Sequence, residues 1–122
     1  MQLTVENINQ PQNIPSKLEL WIAADLQISP IRARQLVSIY LMNDVGDLLH
    51  GDIPDELVAR DKDVFWRVPV ILSGGRAGRI GVVGKIDVHT ETGKLQLTDS
   101  LIAEIMANAH RLVARATPEP IR

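Results

Sequence analysis

The stretch Val64–His89, VFWRVPVILSGGRAGRIGVVGKIDVH, decides how this chain is read. Its apolar residues recur every second position, the period of a strand whose side chains point alternately to opposite faces. In 64–72 one face is Val64, Trp66, Val68, Val70 and Leu72, and the other is Phe65, Arg67, Pro69 and Ile71. From Arg79 to His89, Ile80, Val82, Ile86 and Val88 form one face, and Val83, Lys85, Asp87 and His89 the other. Two amphipathic antiparallel strands follow. Thr90-Glu91-Thr92-Gly93 then makes a tight turn, and Lys94–Leu97 a short third strand. Proline has no ladder donor, so Pro69 predicts an edge position for the first strand of this three-stranded meander over 64–97.

The glycines between the two long strands pose a separate question. Residues 73–84 carry glycine at 75, 78, 81 and 84. A phosphate-cradling loop requires glycines that follow a strand and open a helix, so that amides and the helix dipole face the anion. Here they join two strands, spaced G-x-x-G-x-x-G, and no Gly-Lys-Ser or Gly-Lys-Thr follows. Gly74, Gly75 and Gly78 therefore read as a hairpin loop. Gly81 and Gly84 fall inside the second strand, where they permit a bulge or the close approach of another backbone. Arg76 and Arg79, with Gly75 and Gly78, are the loop's candidates for contact with an anion or a partner.

Upstream of the strands the period is helical. Ser16-Lys17-Leu18-Glu19 has the form of a capping box, and Leu18, Trp21, Ile22 and Ile28 follow at helical spacing. Ser29-Pro30 starts a second helix, serine as N-cap and proline at the first helical position. It is expected to run to about Leu49 and to stop at His50-Gly51. Its apolar residues include Ile31, Leu36, Val37, Ile39, Tyr40, Leu41, Met42 and Val45, a stripe too wide for one buried face. The helix is either sandwiched within the domain or partly covered by another chain. Residues 51–63 read as a charged connector with turn signals at Gly51-Asp52 and Pro54-Asp55, and residues 1–15 as a flexible arm. A last helix over 99–116 buries Leu101, Ile102, Ile105, Met106, Ala109, Leu112 and Val113. The expectation is therefore one α+β domain over 1–122: an N-terminal helical pair (16–50), a three-stranded antiparallel meander, and a C-terminal helix packed on the sheet.

Composition bounds the chemistry. The 122 residues are 45% hydrophobic but only 3% aromatic, so the core is aliphatic. The absence of cysteine excludes disulfides, thiol catalysis and thiolate-ligated metals. Neither a secretory signal nor a segment long enough to span a bilayer is visible, which reads as a cytoplasmic protein without membrane contact. The net charge is −2, but residues 1–59 carry −5 and residues 60–94 carry +3, a dipole able to steer a partner. His50, His89 and His110 have no ligand spacing, so no metal or cofactor is expected. Ser73, Thr98 and Ser100 have no nucleophile elbow, and no catalytic constellation is visible.

Two resemblances add to this reading. Residues 22–37, IAADLQISPIRARQLV, resemble a helix-turn-helix, which implies that Arg32, Arg34 and Gln35 face the major groove, where arginine reads guanine and glutamine adenine. Trp66–Val70 with Gly81–Val88 and Thr92-Gly93 (WRVPV…GVVGKIDV…TG) resembles a unit of small uncharacterised prokaryotic α+β proteins. Its last part resembles the final hairpin of PepSY-type modules, which implies a regulatory or inhibitory binding role. The expected function is a non-enzymatic protein-interaction or regulatory module, antitoxin-like or accessory, that self-associates as a dimer or meets a protein partner. Its expected contacts are Phe65, Arg67, Ile71 and Val83 on the outer sheet face, with Ile39 and Met42 on the wide helix. The alternatives are a DNA-binding regulator using Arg32, Arg34 and Gln35, and a small-ligand protein or enzyme using the 74–79 loop.

Overall fold

The computed structural model describes residues 2–6, 26–74 and 78–116. These form a six-stranded mixed sheet and two helices: β1 (Gln2–Val5), α1 (Pro30–Asp44), β2 (Leu49–Gly51), β3 (Glu56–Arg60), β4 (Asp63–Ser73), β5 (Arg79–His89), β6 (Leu95–Gln96) and α2 (Asp99–Ala116). The sheet order is β1-β3-β4-β5-β6, with β2 paired to β4 beside β3. β1 runs parallel to β3, and the remaining pairs are antiparallel.

The expected helical pair and three-stranded meander are thus replaced by a larger sheet. The first helix of that pair falls mostly on residues 7–25, outside those described, and Leu26–Ser29 is not helical. The Ile28 N–H donates to the Thr90 carbonyl at 2.8 Å, which ties this segment to the end of β5. Part of the expected N-terminal arm is β1, an edge strand in register with β3 from Gln2 opposite Glu56 to Val5 opposite Ala59. The expected charged connector contains β3. Leu57 and Val58 are adjacent and both fully buried, one on each face of the sheet, so the strand shows no alternation. Its turn into β4 is Asp61-Lys62, with Asp61 at φ 56°, a left-handed conformation that aspartate tolerates without the usual glycine. The helix expected to reach Leu49 ends at Asp44, and Leu49–Gly51 pairs with Val70–Leu72.

Pro69 is not at a sheet edge. β4 is central, with β5 on one side and β3 and β2 sharing the other. Proline is accommodated because β3 pairs with residues 63–66 and β2 with 70–72, leaving residues 67–69 without a strand partner on that side. The Pro69 carbonyl faces this gap and accepts from the Asp52 N–H at 2.9 Å. The missing donor at Pro69 points the same way and interrupts no ladder.

Both helices lie on one face of the sheet and close a single aliphatic core. Ala33, Val37 and Leu41 of α1 and Ile105 and Ala109 of α2 meet Trp66, Val68, Val70, Leu72, Ile86 and Val88. A bulge in β5 shapes this contact. Val70 pairs with Gly84 and Ile71 with Val82, so Val83 is the extra residue and turns into the core. That reverses the alternation beyond it: Val82 is 51% exposed while Val83 is 2% exposed. Asn108 of α2 donates from Nδ2 to the Val83 carbonyl at 2.8 Å and satisfies the interrupted ladder. Gly81 and Gly84 let α2 lie close to β5: a Cβ on Gly84 would stand 2.6 Å from Ile105 Cγ1, and one on Gly81 3.1 Å from Leu112 Cδ1.

Gly84→Ala is therefore expected to destabilise the fold by about 1–3 kcal/mol through overpacking. In chemical denaturation, combining it with Ile105→Ala, which removes the γ-carbon the new Cβ would meet, should cost less than the sum of the two single effects; strict additivity would refute the contact.

Candidate functional site

α1 begins at Ser29, whose Oγ accepts from the Arg32 N–H at 3.1 Å, with Pro30 in the first turn. Helical spacing then divides its apolar residues into two rows. Ala33, Val37 and Leu41 are fully buried against the sheet. Ile31, Ile39 and Met42, with Gln35 between them, form the opposite row, and these three apolar side chains are 53%, 48% and 60% exposed. Beside this row, Arg34, Gln35, Ser38, Ile39, His50 and Gly51 line an open cleft of ≈ 320 Å³. The Ser38 hydroxyl accepts from the Gly51 N–H at 2.9 Å and fixes β2 against the helix.

The charges of α1 are placed against its dipole. Arg32 and Arg34 stand at its N-terminal end, where the backbone is electropositive, and Asp44 at its electronegative C-terminal end; the first turn has no acid and the last no base. Of the three residues expected to read DNA, Arg32 and Gln35 are exposed and hydrogen-bonded to each other (Nη1 to Oε1, 3.3 Å), and Arg34 is half-buried. The segment expected to turn into this helix is instead held to the sheet. The Ile28 carbonyl accepts from Trp66 Nε1 at 2.8 Å.

On the opposite face of the sheet, the expected contact surface is largely closed. Phe65 and Ile71 are 4% and 1% exposed, because β4 is central and each is flanked on both sides: Phe65 by Val58 and His89, Ile71 by His50 and Val82. The Arg60 guanidinium lies 4.9 Å from the centre of the Phe65 ring, and His89 meets that ring edge-on. With Val83 turned into the core, Arg67 is the only member of the expected sheet patch that reaches this surface, and it is fully engaged.

Arg67 belongs to a cluster with Arg60, Glu6 and Asp87, brought together from β4, β3, the end of β1 and β5. Arg67 and Asp87 are direct cross-strand neighbours. Arg67 grips the buried Asp87 with two parallel bonds, Nε to Oδ1 at 2.8 Å and Nη2 to Oδ2 at 2.9 Å. Arg60 Nη2 adds a third at 2.8 Å and also donates to Glu6 Oε1 at 2.9 Å. Arg67 Nη1 reaches Glu6 Oε2 at 3.2 Å. Burial pushes the Asp87 carboxyl up, but the hydrogen bonds and charges of Arg67 and Arg60 outweigh it and hold the group below the ordinary carboxylate value. For Glu6, the bond from Arg67 is the leading cause of a similar depression. Burial pulls both arginines down and the carboxylates raise them further, with Asp87 the main influence on Arg67. Two positive and two negative charges cancel here. The cluster clasps β1 to the sheet. Glu6, Arg60 and Asp87 were not among the residues expected to matter; the β4–β5 register is the signal that pairs Arg67 with Asp87.

The remaining candidates are structural in their contacts. His89 Nδ1 accepts from the Glu91 and Thr92 amides at 3.1 and 3.3 Å, so its proton lies on Nε2, 3.0 Å from Asp63 Oδ1. Gly75 and Arg76 lie outside the described residues. Gly78 sits at φ 65°, its carbonyl accepts from the Gly74 N–H, and Arg79 pairs with Asp52 at 3.2 Å. Among the described residues no group of three histidine or acidic side chains could hold a metal ion, and no helix is long and apolar enough to cross a membrane. Comparison with protein-family models, curated proteins and solved structures returns no match.

Because both carboxyls have folded pKa values below their unfolded ones, their contribution is complete above roughly pH 5 and is lost as the pH falls through the folded values. Asp87→Asn is expected to cost about 3 kcal/mol at pH 7, since Arg67 keeps only the more exposed Glu6. It should also flatten the decline of the denaturation midpoint between pH 5 and pH 3; a decline as steep as that of the native protein would refute the cluster's role.

Proposed function

We propose that this chain is a non-enzymatic protein-interaction module, regulatory or accessory in role, that meets a second copy or another protein through the outward face of α1. One observation carries this reading: α1 is apolar on both sides and covered on one. Helices that are apolar all round are ordinarily buried, because each exposed aliphatic side chain forgoes the gain of leaving water. Ile31, Ile39 and Met42 lie in one row on a capped helix, unlike apolar residues scattered singly over a surface. The remaining clusters support the same reading, because the Glu6/Arg60/Arg67/Asp87 network and the His89 contacts are saturated by the fold itself. The module acts in the cytoplasm in this reading, where a chain without cysteine needs no oxidising compartment.

Two differently tagged copies co-expressed in the host, recovered through one tag with nuclease present, test the reading. A stoichiometric protein companion, a second copy or another chain, is expected, and Ile39→Asp should release it while leaving the thermal midpoint unchanged. Recovery that depends on nucleic acid would transfer the function to Arg32, Arg34 and Gln35, and recovery of no companion would overturn the reading.

A further inference from the structure

We propose that the outer edge of β3, together with Arg60 and Arg67, is an acceptor for an extended segment of a partner chain that carries a carboxylate just past its paired stretch. β1 with Glu6 is the displaceable occupant of that acceptor. This surface is separate from the α1 face and does not depend on it. β1 is attached to the sheet without entering its core. None of its four residues is buried, and Leu3 packs against the core from a partly exposed position. Its pairing is parallel, the weaker form of ladder, and local opening of such an element needs less free energy than unfolding the whole domain. The strand it covers is different in kind. Leu57 and Val58 of β3 are fully buried, and the edge of β3 toward β1 offers main-chain groups: the Asp55 and Ala59 carbonyls accept from the Gln2 and Glu6 amides at 2.6 and 2.7 Å. Such an edge pairs with another strand in the same manner once its present one leaves.

Specificity lies at Glu6. Asp87 holds both guanidinium groups by itself, Arg67 through Nε and Nη2 and Arg60 through Nη2. Glu6 joins them as a second carboxylate, its side chain 34% exposed against 8% for that of Asp87. With Glu6 withdrawn, two guanidinium groups share one carboxylate and keep one net positive charge. Arg60 Nε and Arg67 Nη1, which donate to Glu6 at 3.2 Å each, then point at the vacated position. Charge-assisted bonds to a carboxylate are strong, and donors already fixed by Asp87 lose little further freedom in making them. An incoming strand is therefore selected by two features at once: a main chain in the register of β1, and an acid immediately after four paired residues.

A fluorescent peptide with the sequence of residues 2–7, titrated with the full chain and followed by anisotropy, reads the acceptor directly. Glu6→Lys in the full chain repels the resident strand from the arginines. Thr4→Pro removes a donor from its ladder, because the Gln2 and Glu6 amides point to β3 and Thr4, midway between them, points the same way. Each variant is expected to bind the peptide at least about tenfold more tightly than the native chain does. The peptide with its glutamate changed to glutamine should bind at least about tenfold more weakly than the unchanged one. A folded variant that binds no better than the native chain, or equal affinity for the two peptides, would overturn the inference. Amide exchange in the native chain decides the matter where neither variant folds. The Glu6 amide is expected to exchange well before the amides of β4 and β5. Equal protection, which means that β1 leaves only when the whole domain unfolds, would refute a displaceable strand.

Discussion

β4 has strand partners on both sides, and its pairing with β5 shifts register twice, at Val83 and again at Ile80; most of the remaining structure is arranged around that pair. The bulge at Val83 swaps the faces of Val82 and Val83, places Gly84 and Gly81 beneath α2, and presents a free carbonyl that Asn108 satisfies. A side chain at 84 would push α2 away from the sheet and open the core around Ile105. The same strand pairing sets Arg67 opposite Asp87 on the other face. One register therefore governs the depth of the helix layer and the position of the ion cluster.

The ion cluster extends this control to the sheet's edge. β1 is a four-residue parallel strand, and parallel pairing of so short a segment adds little by itself. Glu6, just beyond it, meets two guanidinium groups that Asp87 already holds. The Glu6 N–H also donates to the Ala59 carbonyl at 2.7 Å, and Thr4 donates from its hydroxyl to Glu56 at 2.7 Å. Removing Asp87 would free the arginines that clasp Glu6, so the edge strand depends on a residue three strands away.

α1 and α2 illustrate two uses of a helix on one sheet face. α2 turns Ile105 and Ala109 inward and Glu104 and Arg111 outward, but Met106 and Val113, expected in its buried stripe, are 43% and 41% exposed. α1 buries a narrow row of Ala33, Val37 and Leu41 and keeps a second apolar row outside. The small Ala33 and the absent side chain of Gly51, whose Cβ would stand 3.0 Å from the Arg34 carbonyl oxygen, allow close contact on the inner side.

Period and punctuation alone identify the long strands around Val64–Leu72 and Arg79–His89, the Ser29-Pro30 start of α1, the excess apolar width of that helix, and the helical stripe of 99–116. Each is a local property, written in side-chain alternation, capping residues and turn glycines within a dozen positions. Only tertiary structure decided the rest. β3 is silent because both of its faces are buried, and β1 because its partner lies more than fifty residues away. The central place of β4 was masked by Pro69, whose missing donor falls in a gap between two neighbours. The burial of Phe65, Ile71 and Val83 followed from strands on both sides of β4 and from a bulge, and the ion cluster from a register across four strands. These are non-local constraints: strand order and pairing are set by which surfaces can be buried together, and no window along the chain contains both partners.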